Sequence, residues 1–177
     1  MVKRVILNND THISAFDVAA YLINTNSTPQ KSSEIIKDLF SNHLEYLVPE
    51  ASENFKTFSK AVSHTMVINL IDENTLRELN AITDEVSGNH TDAIEEPSQL
   101  FFFKQMKLQL LYSGTGYVRM KLRSLLTKFG YKRRTAEFVS SVQAWLSQLE
   151  ISVCLKGYAE CNLAEMALDD MIIFRNR

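Results

Sequence analysis

Between Pro97 and Ala136 the chain carries nine basic residues and no acidic one, and the chemistry open to such a block is the holding of an anion. Its densest part is Tyr131-Lys132-Arg133-Arg134-Thr135, which sets three cations just before a predicted helix, where backbone N–H groups already favour a phosphate. Lys121, Arg123 and Lys128 precede that turn and extend the positive surface. The helix that follows bears Ser140, Gln143 and Ser147 away from its apolar residues, short hydroxyl and amide groups of the kind that approach base edges. It has no arginine or lysine of its own, so the pattern favours contact with a sugar-phosphate backbone over sequence readout. The candidate nucleic-acid contacts are therefore six cations and three groove-facing polar residues.

Other chemistries fail on spacing. Gly114-Thr115-Gly116 invites comparison with a dinucleotide loop, but Arg119 stands where a glycine is required, and there is no GxxxxGK[ST] run. The histidines, His12, His43, His64 and His90, are scattered, with no pair four apart to make a helical metal site. Cys154 and Cys161 lack the paired cysteine or histidine spacing of a zinc site and read as free thiols. Asp169-Asp170 and Glu95-Glu96 are adjacent carboxylates whose side chains diverge on any regular element, and no serine lies in a GxSxG setting. No catalytic residue, cofactor or metal follows, and the reading is non-enzymatic.

Charge divides the chain. Residues 1–96 hold fifteen acids and seven bases; residues 137–177 hold six acids and three bases. An acidic helical region over 1–96 and a basic region over 97–177 are the expected organisation, with the polar stretch from Thr83 to Ser98 either as the boundary or as a long surface loop within one compact domain. In the first region, Val2 to Leu7 suggests an edge strand. Ser14 with Asp17 starts a helix bearing Ile13, Phe16, Ala20 and Ile23 on one face. Ser32 caps a second helix whose apolar stripe runs from Ile35 to Leu47, and Ser52 opens a third. Val67 to Ile71 fits either a strand or the end of that helix, and Thr75 with Glu78 forms a capping box.

In the second region, Leu100, Phe103, Met106 and Leu110 follow helical spacing up to the SGTG turn. Phe101, Phe102 and Phe103 cannot all face one core from a single helix. A helix from Tyr117 to Phe129, started by Thr115 or Gly116, would bury Val118, Leu122, Leu125, Leu126 and Phe129, leave Met120 exposed and end at Gly130. The next begins after Thr135 and buries Phe138, Val139, Val142, Trp145, Leu146 and Leu149. Ile151 to Leu155 and Met171 to Phe174 are strand-like, with a short helix expected between them in Asn162 to Asp170.

The predicted fold class is mainly α with a small β element: a helical first half and a winged-helix-like second half, helix-turn-helix plus β-hairpin. No apolar run approaches the length of a membrane span and no signal peptide is evident, so a cytoplasmic protein is expected. The functional expectation is a non-enzymatic regulator or accessory subunit that binds nucleic acid through its basic helix-turn-helix. The alternative is a protein-interaction adaptor, homodimeric or with another chain, whose basic helix pair docks an acidic partner.

Overall fold

The computed structural model describes residues 11–49, 53–71, 95–155 and 161–177. The chain divides into two compact units, Met1–Gly88 and Asn89–Arg177. The expected strand at Val2 to Leu7, the capping box at Thr75 and most of the acidic connector lie outside the described residues.

In the first unit, Ser14 and Asp17 form a complete capping box: Asp17 N donates to Ser14 Oγ at 3.2 Å, and Ser14 N donates to Asp17 Oδ2 at 2.8 Å. It opens α1, Ala15–Asn24. The buried face is Val18, Ala19, Tyr21 and Leu22, while Phe16 is 46% exposed. This corrects the expected row through Phe16, Ala20 and Ile23, which took its phase from Ile13. Ile13 precedes the N-cap and is buried instead by a parallel bridge to Leu47.

Helix α2, Pro29–Asn42, starts earlier than expected. Thr28 is its cap and accepts from Lys31 N at 3.3 Å, Pro29 takes the first position, where its missing N–H costs nothing, and Ser32 is buried within the first turn. The helix stops at Asn42, so Leu47 reaches the core through its bridge and not as part of a continuous helical stripe. A 3₁₀ turn, Leu44–Tyr46, intervenes. Helix α3, Phe55–Ile71, is capped by Asn54, whose Oδ1 accepts from Lys56 N at 3.0 Å and Thr57 N at 3.2 Å; Val67 to Ile71 belongs to it.

The second unit runs α4 (Glu95–Tyr112), β1 (Tyr117–Lys121), α5 (Leu122–Lys128), α6 (Ala136–Gln148), β2 (Ile151–Cys154) and β3 (Met171–Asn176). The three strands form one antiparallel sheet in the order β1-β3-β2. The chain is thus mainly helical with a small sheet, and among the described residues no helix is long and apolar enough to cross a membrane.

Tyr117–Lys121 is a strand, where a helical wheel had placed the first turns of a longer helix. The wheel concealed a second period in the same residues. Val118 and Met120 face the core while Tyr117, Arg119 and Lys121 face away, an alternation that pairing with β3 selects. Gly114 and Gly116, at φ +76° and +66°, turn the chain out of α4 before the strand, and Met120 is packed against the core. Asn162 to Asp170 forms turns where a short helix was expected.

The core of this unit joins Phe103, Met106 and Leu110 of α4 to Leu122, Leu125 and Leu126 of α5. Phe138, Val142 and Leu146 of α6 complete it with Ile172 and Phe174 of β3. Phe103, Leu122, Leu125, Phe138 and Phe174 have no exposed surface. Aromatic edges bind the elements further: Phe102 meets Phe129 at 5.3 Å and 82°, and Phe103 meets Phe174 at 6.5 Å and 60°. Two of the three consecutive phenylalanines are thereby used within this unit.

Candidate nucleic-acid interface

The basic turn is built by its apolar neighbours. Helix α5 closes with a Schellman arrangement: Gly130 N donates to Thr127 O at 3.1 Å and Tyr131 N donates to Leu126 O at 3.0 Å, with Gly130 at φ +76° as the left-handed residue this closure needs. Phe129 and Tyr131 turn inward onto Phe138, at 6.3 and 4.8 Å between ring centres. Thr135 then caps α6, its Oγ1 accepting from Phe138 N at 3.1 Å. With both ends of the turn pinned, Lys132 and Arg133 stand exposed between them, and among the described residues neither forms an ion pair.

Arg134 is placed differently. It is half-buried, and its Nη1 donates to Leu163 O at 3.0 Å and to Met166 O, tying the start of α6 to the turns that precede β3. Arg123 is exposed and pairs with Asp169, Nε to Oδ1 at 3.0 Å and Nη2 to Oδ2 at 2.9 Å. Those two bonds hold the Asp169 carboxyl below the usual carboxylate range and raise the Arg123 guanidinium. Lys128 lies 5.1 Å from the centre of the Phe102 ring, with its ammonium exposed. Lys121 occupies the N-cap position of α5 without a side-chain capping bond and is exposed.

Along α6 the exposed face presents Ala136, Glu137, Ser140, Gln143, Ala144 and Ser147. Gln143 Nε2 donates to Asn162 Oδ1 at 3.2 Å, so its amide is oriented by the neighbouring turn, and Ser140 and Ser147 flank it one turn away on either side. Glu137 complements the positive helix end with its own carboxylate. An anion brought to this end would therefore meet the turn's side chains more than free backbone N–H groups.

A cavity of about 220 Å³ opens beside α6, with Gln143, Ser147, Cys161 and Arg177 over a floor of Leu146 and Ile151. It is smaller than the roughly 300–1,000 Å³ usual for small-molecule sites. Burial, with the nearby Cys154 and Asp170, pushes the Cys161 thiol up, which disfavours the thiolate a nucleophile needs. Among the described residues no group of three or more histidine, cysteine or carboxylate side chains is arranged to hold a metal ion.

Of the nine sequence-derived contacts, Lys132 and Arg133 lie in the turn leading into α6, whose outer face carries Ser140, Gln143 and Ser147. Arg134 and Arg123 are tied to other segments of the unit, and Lys121 and Lys128 sit at the two ends of α5. A further cluster escaped the helical reading: Tyr117, Arg119 and Arg175 on the outer face of the sheet. Arg119 Nη2 donates to Tyr117 Oη at 2.9 Å, and the two guanidinium carbons lie 4.8 and 5.8 Å from the centre of the Tyr117 ring. The alternating Tyr-x-Arg-x-Lys pattern was its signal.

Comparison with protein-family models, curated proteins and solved structures finds no match.

Proposed function

We propose that the second unit is a winged-helix-like nucleic-acid-binding module and that the protein acts as a non-enzymatic regulator or accessory subunit. The observation that carries this reading is the junction of an exposed, small-residue face on α6 with the exposed Lys132 and Arg133 in the turn leading into it. The order helix, strand, helix, turn, helix and hairpin supports it, since a helix-turn-helix with a wing has these parts, although such likeness speaks to fold before function.

In this mechanism α6 lies against a groove of a duplex, with Ser140, Gln143 and Ser147 toward the base edges. Lys132 and Arg133 neutralise phosphates beside the start of α6, and Lys121, Arg123, Lys128 and Arg134 strengthen the field around them. Because α6 supplies hydroxyls and one amide but no cation, affinity comes from the backbone and depends steeply on salt, with dissociation constants of about 10⁻⁴–10⁻⁶ M for mixed sequence. The same lack of a cation on α6 favours, as a second reading, docking of an acidic protein surface onto the turn.

The test is fluorescence anisotropy with a mixed-sequence duplex at low ionic strength, comparing the native protein with a Ser140→Glu/Ser147→Glu variant. Both sites are exposed, so the fold is expected to persist while duplex binding is lost. Unchanged binding by the variant would remove α6 from the interface, and no binding by either protein would leave the adaptor role.

A further inference from the structure

The outer face of the sheet has a chemistry unlike that of α6. Strand register aligns Tyr117 with Arg175 and Ser152 in one row, Arg119 with Ile173 and Cys154 in the next, and Lys121 with Met171 in the third. These rows contain three cations, one aromatic ring and no acid. Arg119, Lys121 and Met171 are exposed; Tyr117, Ser152 and Arg175 are half-buried, and Ile173 and Cys154 are buried, so the open part of the face is its β1 edge.

Arg119 is oriented by its neighbour. Its guanidinium lies over the Tyr117 ring, with 4.8 Å from Cζ to the ring centre, and donates to that residue's hydroxyl at 2.9 Å. The Arg119 guanidinium, held near the ring and hydroxyl of Tyr117, stays exposed, and guanidinium planes are surfaces on which unpaired bases stack. Lys121, two residues along the strand and about 7 Å away, offers a point charge for a neighbouring phosphate.

We propose that this face is a second nucleic-acid site, specific for unpaired nucleotides, in which a base stacks on Arg119 and the adjoining phosphate meets Lys121. It shares Lys121 with the duplex reading but is built on the sheet and not on α6, Lys132 or Arg133. A single strand is favoured over an acidic peptide because Arg119 already gives an N–H of its fork to Tyr117 Oη, which takes up part of the bidentate edge a carboxylate would use, while the exposed guanidinium still offers a plane to a base.

The experiment uses the full chain and three labelled probes at low salt: a short oligothymidine, a strand of equal length built from abasic sugar-phosphate, and a mixed-sequence duplex. Arg119→Lys keeps the charge and the strand but removes the plane. It is expected to weaken oligothymidine binding by roughly tenfold and to leave the abasic strand unaffected. Lys132→Ala/Arg133→Ala is expected to weaken the duplex and spare oligothymidine. The proposal is overturned if oligothymidine does not bind, if the abasic strand binds as tightly, or if Arg119→Lys changes nothing. Polyglutamate displacing oligothymidine at equal charge concentration would likewise overturn it, in favour of an acidic protein partner. Loss of duplex binding alone would count against α6 and leave this site standing.

Discussion

Arg133 and Arg134 are adjacent and chemically identical, yet the fold gives them different work. Arg134 bridges two carbonyls across the unit, while Arg133 is exposed and outside any ion pair among the described residues. Arg134→Ala leaves Leu163 O and Met166 O without that donor, and a loss of about 1–3 kcal/mol in unfolding free energy is expected by urea titration. Lys132→Ala and Arg133→Ala are expected to stay within about 0.5 kcal/mol of the native protein. A triple alanine variant would mix the two effects, so the binding test belongs to Lys132 and Arg133 alone.

The exposed Arg123–Asp169 pair is a smaller structural contact with a definite pH signature. Folding lowers the carboxyl's pKa, so its contribution is present above the unfolded value of about 3.9 and is lost as pH falls through the lower native value. Asp169→Asn should therefore reduce the thermal midpoint slightly at neutral pH and by a vanishing amount in strong acid. Added salt should narrow the neutral-pH difference, as thermal melts across pH and salt would show.

Helix α6 and strand β1 show what local pattern can and cannot specify. Thr135, the inward residues from Phe138 to Leu149 and the left-handed Gly130 were all legible, because capping and 3.6-residue periodicity are properties of neighbouring residues. Strand β1 was not, since five residues fit both periods and the decision came from β3, fifty residues further on. The candidate site was legible to the same extent. The turn and the face of α6 could be read, but Arg134's carbonyl partners, the Arg123–Asp169 pair and the Arg119–Tyr117 contact depend on segments that only folding brings together or on the strand period. Gly130 offers an element-level check. A Cβ there meets nothing within 4 Å, so Gly130→Ala carries only the left-handed backbone penalty, about 1–2 kcal/mol, measurable as a shift in denaturation midpoint.

Over the whole molecule the modest net charge of −2 conceals a basic block carried by the second unit. Part of that charge is spent internally: Lys107 is buried, Arg134 ties a turn and Arg123 has an acid beside it. What remains outward is concentrated at Lys132 and Arg133, at the two ends of α5 and on the sheet face. A protein using these groups on a polyanion should bind in proportion to the counterions it releases. The direct test is the slope of log affinity against log salt for a mixed-sequence duplex, in the native protein and in Lys132→Ala/Arg133→Ala. The native slope should be the steeper by about two, with affinity lower in the variant at every salt concentration and the thermal midpoint unchanged. Equal slopes, or no duplex binding at low salt, would contradict a nucleic-acid interface at this turn.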